Sequence, residues 1–191
     1  TTEGRPLRDD NNEPLLFLDE VPDTSFTTFR IDGKDYIFGG NYGFLGLESG
    51  FSAFPHTEGL ANRSVWHVNG LEIVQTITLV DDLKNPNIGN VKIAYAVTNR
   101  SNRSVSVGSR ILLDTMLGPE DGTPIMLSGS NQYIRTEKEL TDYDVPGYWR
   151  AVDDPLLPNI VSYGFLRGWD NRAPDRMIVA HWEGISSTVW D

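Results

Sequence analysis

Three carboxylates stand close together in ILLDTMLGPEDGTP, residues 111–124: Asp114 inside an apolar run, then Glu120 and Asp121 behind a Gly118-Pro119 break. Such a set can hold a cation, face a ligand, or fix a corner by accepting hydrogen bonds. Calcium takes roughly six to eight oxygens, which Asp114, Glu120, Asp121 and loop carbonyls could supply in part. The spacing lacks the DxDxDG pattern of a calcium loop. Strand alternation sets Asp114 on the face of Arg110 and Leu112, opposite Ile111 and Leu113, and makes that face the polar side. Arg110 lies about 13 Å away along an extended strand, too far for a simple ion pair. A carboxylate that ends a buried strand is costly unless compensated. Amides of the loop 115–122 are the expected donors.

Histidine offers a second chemistry. In VAHWEG, His181 and Glu183 flank Trp182, and on a strand they would share one face, as an acid/base pair requires. His67 is expected opposite Glu72 in a hairpin, which gives it a structural use, and His56 follows Pro55 in a loop. The doublets Asp81-Asp82 and Asp153-Asp154 fall at strand ends, where aspartates accept bonds from turn amides. There is no GxSxG elbow, P-loop or HExxH, and the glycines of GGNYGFLG (39–46) are expected to make a mobile or tightly turned loop, not a dinucleotide site.

Aromatic residues suggest a third chemistry. The chain has five tryptophans. DVPGYWRAVDD groups Tyr148, Trp149 and Arg150, and GFLRGWDNRAPDR groups Trp169 with Asp170, Asn171 and Arg172. A sugar offers an apolar CH face to an aromatic ring and directional hydroxyls to charged and amide groups. The candidate ligand contacts are therefore Arg110, Asp114, Asp121, Trp149 and Trp169.

The elements that must position these residues read as strands. Apolar alternation and turn dipeptides dominate, and no three-turn helical pattern occurs. FTTFRIDGKDYIF (26–38) is a hairpin on Asp32-Gly33 that pairs Phe29 with Tyr36 and Arg30 with Asp35. SVWHVNGLEIVQTITLV (64–80) is a second, on Asn69-Gly70, pairing Trp66 with Ile73. A third is expected in 90–116, where Val91, Ile93, Tyr95 and Val97 return through a polar loop to Val105, Val107, Ile111 and Leu113. Further strands are expected at 131–138, 147–152, 159–166 and 176–182. Some ten strands of this kind imply an all-β fold, a large antiparallel β-sandwich with few or no helices. Residues 1–14 read as an arm or linker and 15–191 as a single sandwich domain. The abrupt end at STVWD leads us to expect a fragment of a longer multidomain chain.

Composition narrows the partners. The net charge of −11 disfavours nucleic acid and anionic membrane surfaces. With no cysteine there is neither a disulfide nor a thiolate metal site, and no apolar run is long enough for a membrane helix. NRS occurs three times and matches a glycosylation sequon, but Asn and Ser are also ordinary turn residues.

VGSRILLDTMLGPEDGTP (107–124) resembles the VGxRxxLDTxLGxxDG motif of an uncharacterised family of bacterial, mainly Gram-positive, secreted or surface proteins. The similarity extends to TSFTTFRIDGKDYIFGG (24–40), VKIAYAVTNRSNRSVSVG (91–108) and APDRMIVAHWEG (173–184), and so covers most of the chain. It implies a galactose mutarotase-like β-supersandwich in an exported protein, extracellular or at the cell surface, beside neighbouring domains of the same polypeptide. It does not imply mutarotase activity, because the histidine and glutamate constellation of those enzymes does not map onto this chain. The expected function is non-catalytic, carbohydrate-binding or structural. The alternatives are a sugar-active enzyme of mutarotase or epimerase type, using His181 or His67 with Glu183 or Glu72, and a calcium-stabilised interaction module.

Overall fold

The computed structural model of the chain describes residues 16, 24–40, 51–81, 89–168, 172–186 and 188–190. Trp169 and the linker at 1–14 lie outside the described residues. The fold is all-β, with antiparallel sheets throughout and, among the described residues, one short α-helix and one 3-10 turn at Asp142–Asp144. The chain divides into two compact units, one of Phe26–Leu112 with Trp190, the other of Thr1–Ser25, Leu113–Val189 and Asp191.

The first unit holds β1 (Phe26–Ile31), β2 (Lys34–Ile37), β3 (Phe51–Glu58), β4 (Ala61–Val68), β5 (Leu71–Asp81), β6 (Gly89–Asn99) and β7 (Val107–Leu112). They form a three-stranded sheet, β2-β1-β7, and a four-stranded sheet, β3-β4-β5-β6. Both expected two-residue turns form. Asp32 and Gly33 have φ of 48° and 81°, Asn69 and Gly70 of 49° and 78°, the left-handed pair that a type I′ turn requires. Phe29 pairs with Tyr36 and Arg30 with Asp35, and Trp66 pairs with Ile73 and His67 with Glu72.

The two sheets share one core. Phe29 and Ile31 from one meet Trp66, Leu71 and Ile73 from the other, with Phe38 between them. The Phe29 and Phe38 rings each stand edge-on to Tyr95 with centroids 5.5 Å apart. Burying a side chain of this size contributes about 1.5–3 kcal/mol, so this cluster makes the unit a sandwich. The Tyr95 hydroxyl is satisfied within it by Thr27 Oγ1 at 2.6 Å and Gln75 Nε2 at 2.5 Å.

The expected third hairpin does not form. β6 pairs with β5 over eleven residues, whereas β7 crosses to the other sheet and pairs with β1. The polar arch between them is pinned to the first turn. Arg103 Nη1 donates to Asp32 Oδ2 at 2.6 Å, and the Ser106 amide donates to Asp32 Oδ1 at 3.0 Å. These bonds hold the Asp32 carboxyl below its usual range, with the Ser106 amide the stronger cause. His56 lies in β3 opposite Arg63 and not in a loop; Pro55 is accommodated there by a register shift.

The second unit holds β8 (Met116–Leu117), β9 (Glu120–Asp121), β10 (Ile125–Leu127), β11 (Lys138–Thr141), β12 (Tyr148–Val152), β13 (Val161–Phe165), β14 (Arg176–Val179) and helix α1 (Trp182–Ser186). Its sheets are β10-β12-β13, β11-β14 and β8-β9. Leu127, Leu140 and Val145 form its core, with Ile134, Trp149, Leu166 and Met177 packed around them. The strand expected at 131–138 is reduced to one bridge between Tyr133 and Met126. The strand expected at 176–182 stops at Val179, where the chain turns into α1.

Candidate functional site

Alternation along β12 and β13 sorts their side chains into two opposite functions. Trp149 pairs with Gly164, and both belong to the core side. A Cβ at position 164 would overlap the Trp149 indole, so the glycine is what lets the ring lie flat on its neighbour. The other face carries Tyr148 opposite Phe165 and Arg150 opposite Tyr163. Tyr148, Tyr163 and Phe165 are 38%, 50% and 65% exposed.

These three rings form one surface. Tyr163 and Phe165 are near parallel at 19° with centroids 6.2 Å apart, and Tyr148 leans against them at 5.8 and 5.9 Å. Arg150 borders the rings. Its Nη2 donates to the Tyr133 hydroxyl at 3.3 Å, and its Nε is buried without a partner. Hydrogen bonding to Tyr133, and more weakly to Tyr163, favours its charged form. No carboxylate pairs with it among the described residues. The surface thus offers apolar ring faces beside a charged donor, a combination able to hold a molecule with an apolar face and a hydroxylated rim.

The sequence singled out Tyr148-Trp149-Arg150 but weighted the tryptophan. The useful signal is Tyr163-Gly164-Phe165. A glycine between two aromatics on a strand leaves room for a large ring on its own face and sends its neighbours to the other.

The remaining candidates belong to other elements. Arg110 lies on β7 of the first unit, opposite Thr28. Leu112, which shares its face, is buried, whereas Ile111 is exposed, so this is not the polar side of the strand. β7 ends at Leu112, and alternation does not carry through to Asp114. In the second unit the Asp114 amide donates to Ser25 Oγ at 2.9 Å, and the Thr123 hydroxyl donates to the Thr115 carbonyl at 3.2 Å. The corner is therefore fixed by Asp114 as a donor. No loop amide bonds its carboxylate among the described residues. Burial pushes the Asp114 carboxyl above its usual range and the nearby Asp121 charge adds to the rise. The Thr24 hydroxyl beside it works in the opposite sense without forming a well-shaped hydrogen bond. Glu120 lies in β9 with its side chain outside the described set, and no group of three or more potential metal ligands occurs among the described residues.

His67 is occupied by structure. Its Nδ1 is 2.8 Å from Ser52 Oγ and its Nε2 is 3.2 Å from Glu72, which also accepts from Arg100 at 2.9 Å. His67 and Arg100 together hold the Glu72 carboxyl low. His181 and Glu183 are not strand neighbours. The Gly184 amide closes on the His181 carbonyl at 3.0 Å to begin α1, and side chains two apart on a helical turn diverge. The Asp153-Asp154 doublet does what was expected. Asp153 Oδ1 accepts from the amides of Asp154, Asn159 and Ile160, and Asp154 Oδ1 from those of Leu156 and Leu157. Among the described residues, a hollow of about 400 Å³ lies at the Asn69-Gly70 turn and another of about 360 Å³ beside α1, both shallow. Neither is closed enough to bury a small molecule.

Comparison with protein-family models, curated proteins and solved structures returns no match.

Proposed function

We propose that this chain is a non-catalytic β-sandwich module of an exported or surface protein that binds carbohydrate on the Tyr148, Tyr163 and Phe165 face. The observation that carries it is the exposure of three mutually packed rings on one sheet face, bordered by an arginine that has no carboxylate partner among the described residues. Exposed rings packed into one contiguous patch, unlike singly scattered ones, mark an interaction surface. A pyranose stacks on such rings through its CH groups while Arg150 donates to its hydroxyls. The open surface suits a chain or branched glycan better than a monosaccharide, which requires a closed pocket. The eleven-residue strands β5 and β6 favour the supersandwich type among sandwich folds.

A glycan array followed by titration calorimetry tests this directly. Phe165→Ala and Tyr163→Ala are each expected to weaken binding about tenfold or more, with the circular dichroism spectrum unchanged. Binding that survives both substitutions takes the site away from this face. Failure to bind any glycan leaves the module a structural one.

A further inference from the structure

We propose that the Asp114 corner is a cation site, in which the Asp114 and Asp121 carboxylates and the Thr24 hydroxyl hold a calcium ion. Three segments of the second unit meet there. The Asp114 amide bonds to Ser25 Oγ at 2.9 Å, which fixes residues 24 and 25 beside it. Thr115 bridges to Leu16, and its carbonyl receives the Thr123 hydroxyl. Met116 pairs with Asp121, and this return of the chain brings the Asp121 charge close to Asp114.

Two neighbouring carboxylates alone do not mark a site, because water hydrates such pairs on most protein surfaces. The Thr24 hydroxyl distinguishes this one. Thr24 is only 8% exposed, and its buried Oγ1 has no hydrogen-bond partner among the described residues. That oxygen stands beside the Asp114 carboxylate. A buried hydroxyl left unpaired is unfavourable, and so is a partly buried carboxylate that faces a like charge. A cation coordinated by all three oxygens relieves both.

The donors select the ion. Oxygen ligands of this kind favour a hard cation. Calcium takes roughly six to eight oxygens at flexible angles, and Asp121 is exposed, so water can complete the shell. Magnesium requires a near-ideal octahedron, which oxygens drawn from three separate segments do not readily supply. The net charge of −11 concentrates cations around the chain. No third acidic or histidine ligand joins the pair among the described residues. The affinity should therefore match that of extracellular calcium modules, with a dissociation constant on the order of 1 mM.

Thermal unfolding of the chelator-treated full chain at constant ionic strength tests the site. Calcium at about 10 mM should raise the melting temperature by about 3–5 °C, and magnesium should raise it less. Asp114→Asn and Asp121→Asn should each remove most of that rise, whereas Asp144→Asn, on the turn at Asp142–Asp144, should keep it. In chelator Asp114→Asn should melt above the parent, and calcium should close that gap. Thr24→Val keeps the shape and removes the hydroxyl. It should melt no lower than the parent in chelator and bind calcium about threefold or more weakly. Terbium, an oxygen-seeking ion of calcium's size, gives a second reading on the unaltered chain. Trp182 Nε1 donates to the Thr24 carbonyl at 3.5 Å, so an indole borders the site. Terbium excited through that ring should luminesce, and calcium should displace it. A melting temperature indifferent to calcium, with no terbium signal that calcium displaces, overturns the proposal. So does a rise that survives both aspartate substitutions, or one that Thr24→Val leaves whole.

Discussion

Gly164 makes the two faces of one sheet depend on each other. With the Trp149 indole lying across it, the core of the second unit fills while Tyr163 and Phe165 are sent outward. Gly164→Ala forces the indole off its position, and overpacking of this kind costs about 1–3 kcal/mol. Chemical denaturation should show that loss, and any glycan binding should weaken with it because the outer rings move. An unchanged midpoint would mean that Trp149 has room to shift. Asp114 makes a different case. Its folded carboxyl titrates above its unfolded value, so the native state keeps a proton that the unfolded chain has released. Stability therefore falls as pH rises through that window, and the ionised group is a burden at neutral pH. Asp114→Asn keeps the amide bond to Ser25, removes the repulsion from Asp121, and should melt higher than the parent at pH 7. The gain should vanish below about pH 3, where both forms are neutral. Asp32, Asp35 and Glu72 carry the opposite sign. Their folded values are lowered, chiefly by the Ser106 amide, Arg30 and His67 respectively, so their contributions are present at neutral pH and lost on acidification.

At the scale of elements the hairpin turns allow a comparison. Gly33 and Gly70 have nearly the same φ, 81° and 78°, but different surroundings. A Cβ at 33 meets nothing within 4 Å, whereas one at 70 lies 3.0 Å from the Ser101 Cβ. Gly33→Ala should cost only the left-handed backbone penalty, about 1–2 kcal/mol, and Gly70→Ala measurably more. Equal losses in paired denaturation curves would show that the Ser101 loop yields freely. These turns are legible in the sequence because Asp-Gly and Asn-Gly encode their own geometry, and the turn fixes the register of Phe29 with Tyr36 and Trp66 with Ile73. The path of β7 is not legible. The alternation of Val107, Ser109 and Ile111 fits any antiparallel neighbour, and the choice of β1 over β6 rests on long-range bonds such as Arg103 to Asp32. The aromatic face is half legible. Tyr148 and Arg150 are adjacent to Trp149, but which of them meets solvent depends on Gly164, a partner across the ladder. His181 and Glu183 mislead for a local reason: the expected strand stops at Val179, and the chain turns into α1, with the Gly184 amide on the His181 carbonyl.

On the scale of the whole molecule, the two core clusters formed among the described residues share no residue. Phe29, Ile31, Trp66, Leu71 and Ile73 belong to one, and Leu127, Leu140 and Val145 to the other. The first unit is continuous in sequence from Phe26 to Leu112 except for Trp190, contributed from near the C-terminus. Trp190 stacks on the Arg30 guanidinium at 4.5 Å, while Asp35 binds the same group through two bonds of 2.6 and 2.8 Å. Its ring also lies close over Gly108, 2.8 Å from where a Cβ would stand. A half-exposed cation–π contact contributes about 0.5–1 kcal/mol, far less than the aromatic core beneath it. Residues 26–112 expressed alone should therefore fold to a β-sheet structure with one cooperative melt. The fragment should be less stable than the same fragment with Trp190 restored on a flexible C-terminal linker. Near-ultraviolet circular dichroism would report the packed Phe29–Trp66–Tyr95 cluster directly. A fragment with far-ultraviolet sheet signal but no near-ultraviolet signal would mean that the rings do not lock without the rest of the chain, and the two cores would then be one cooperative system.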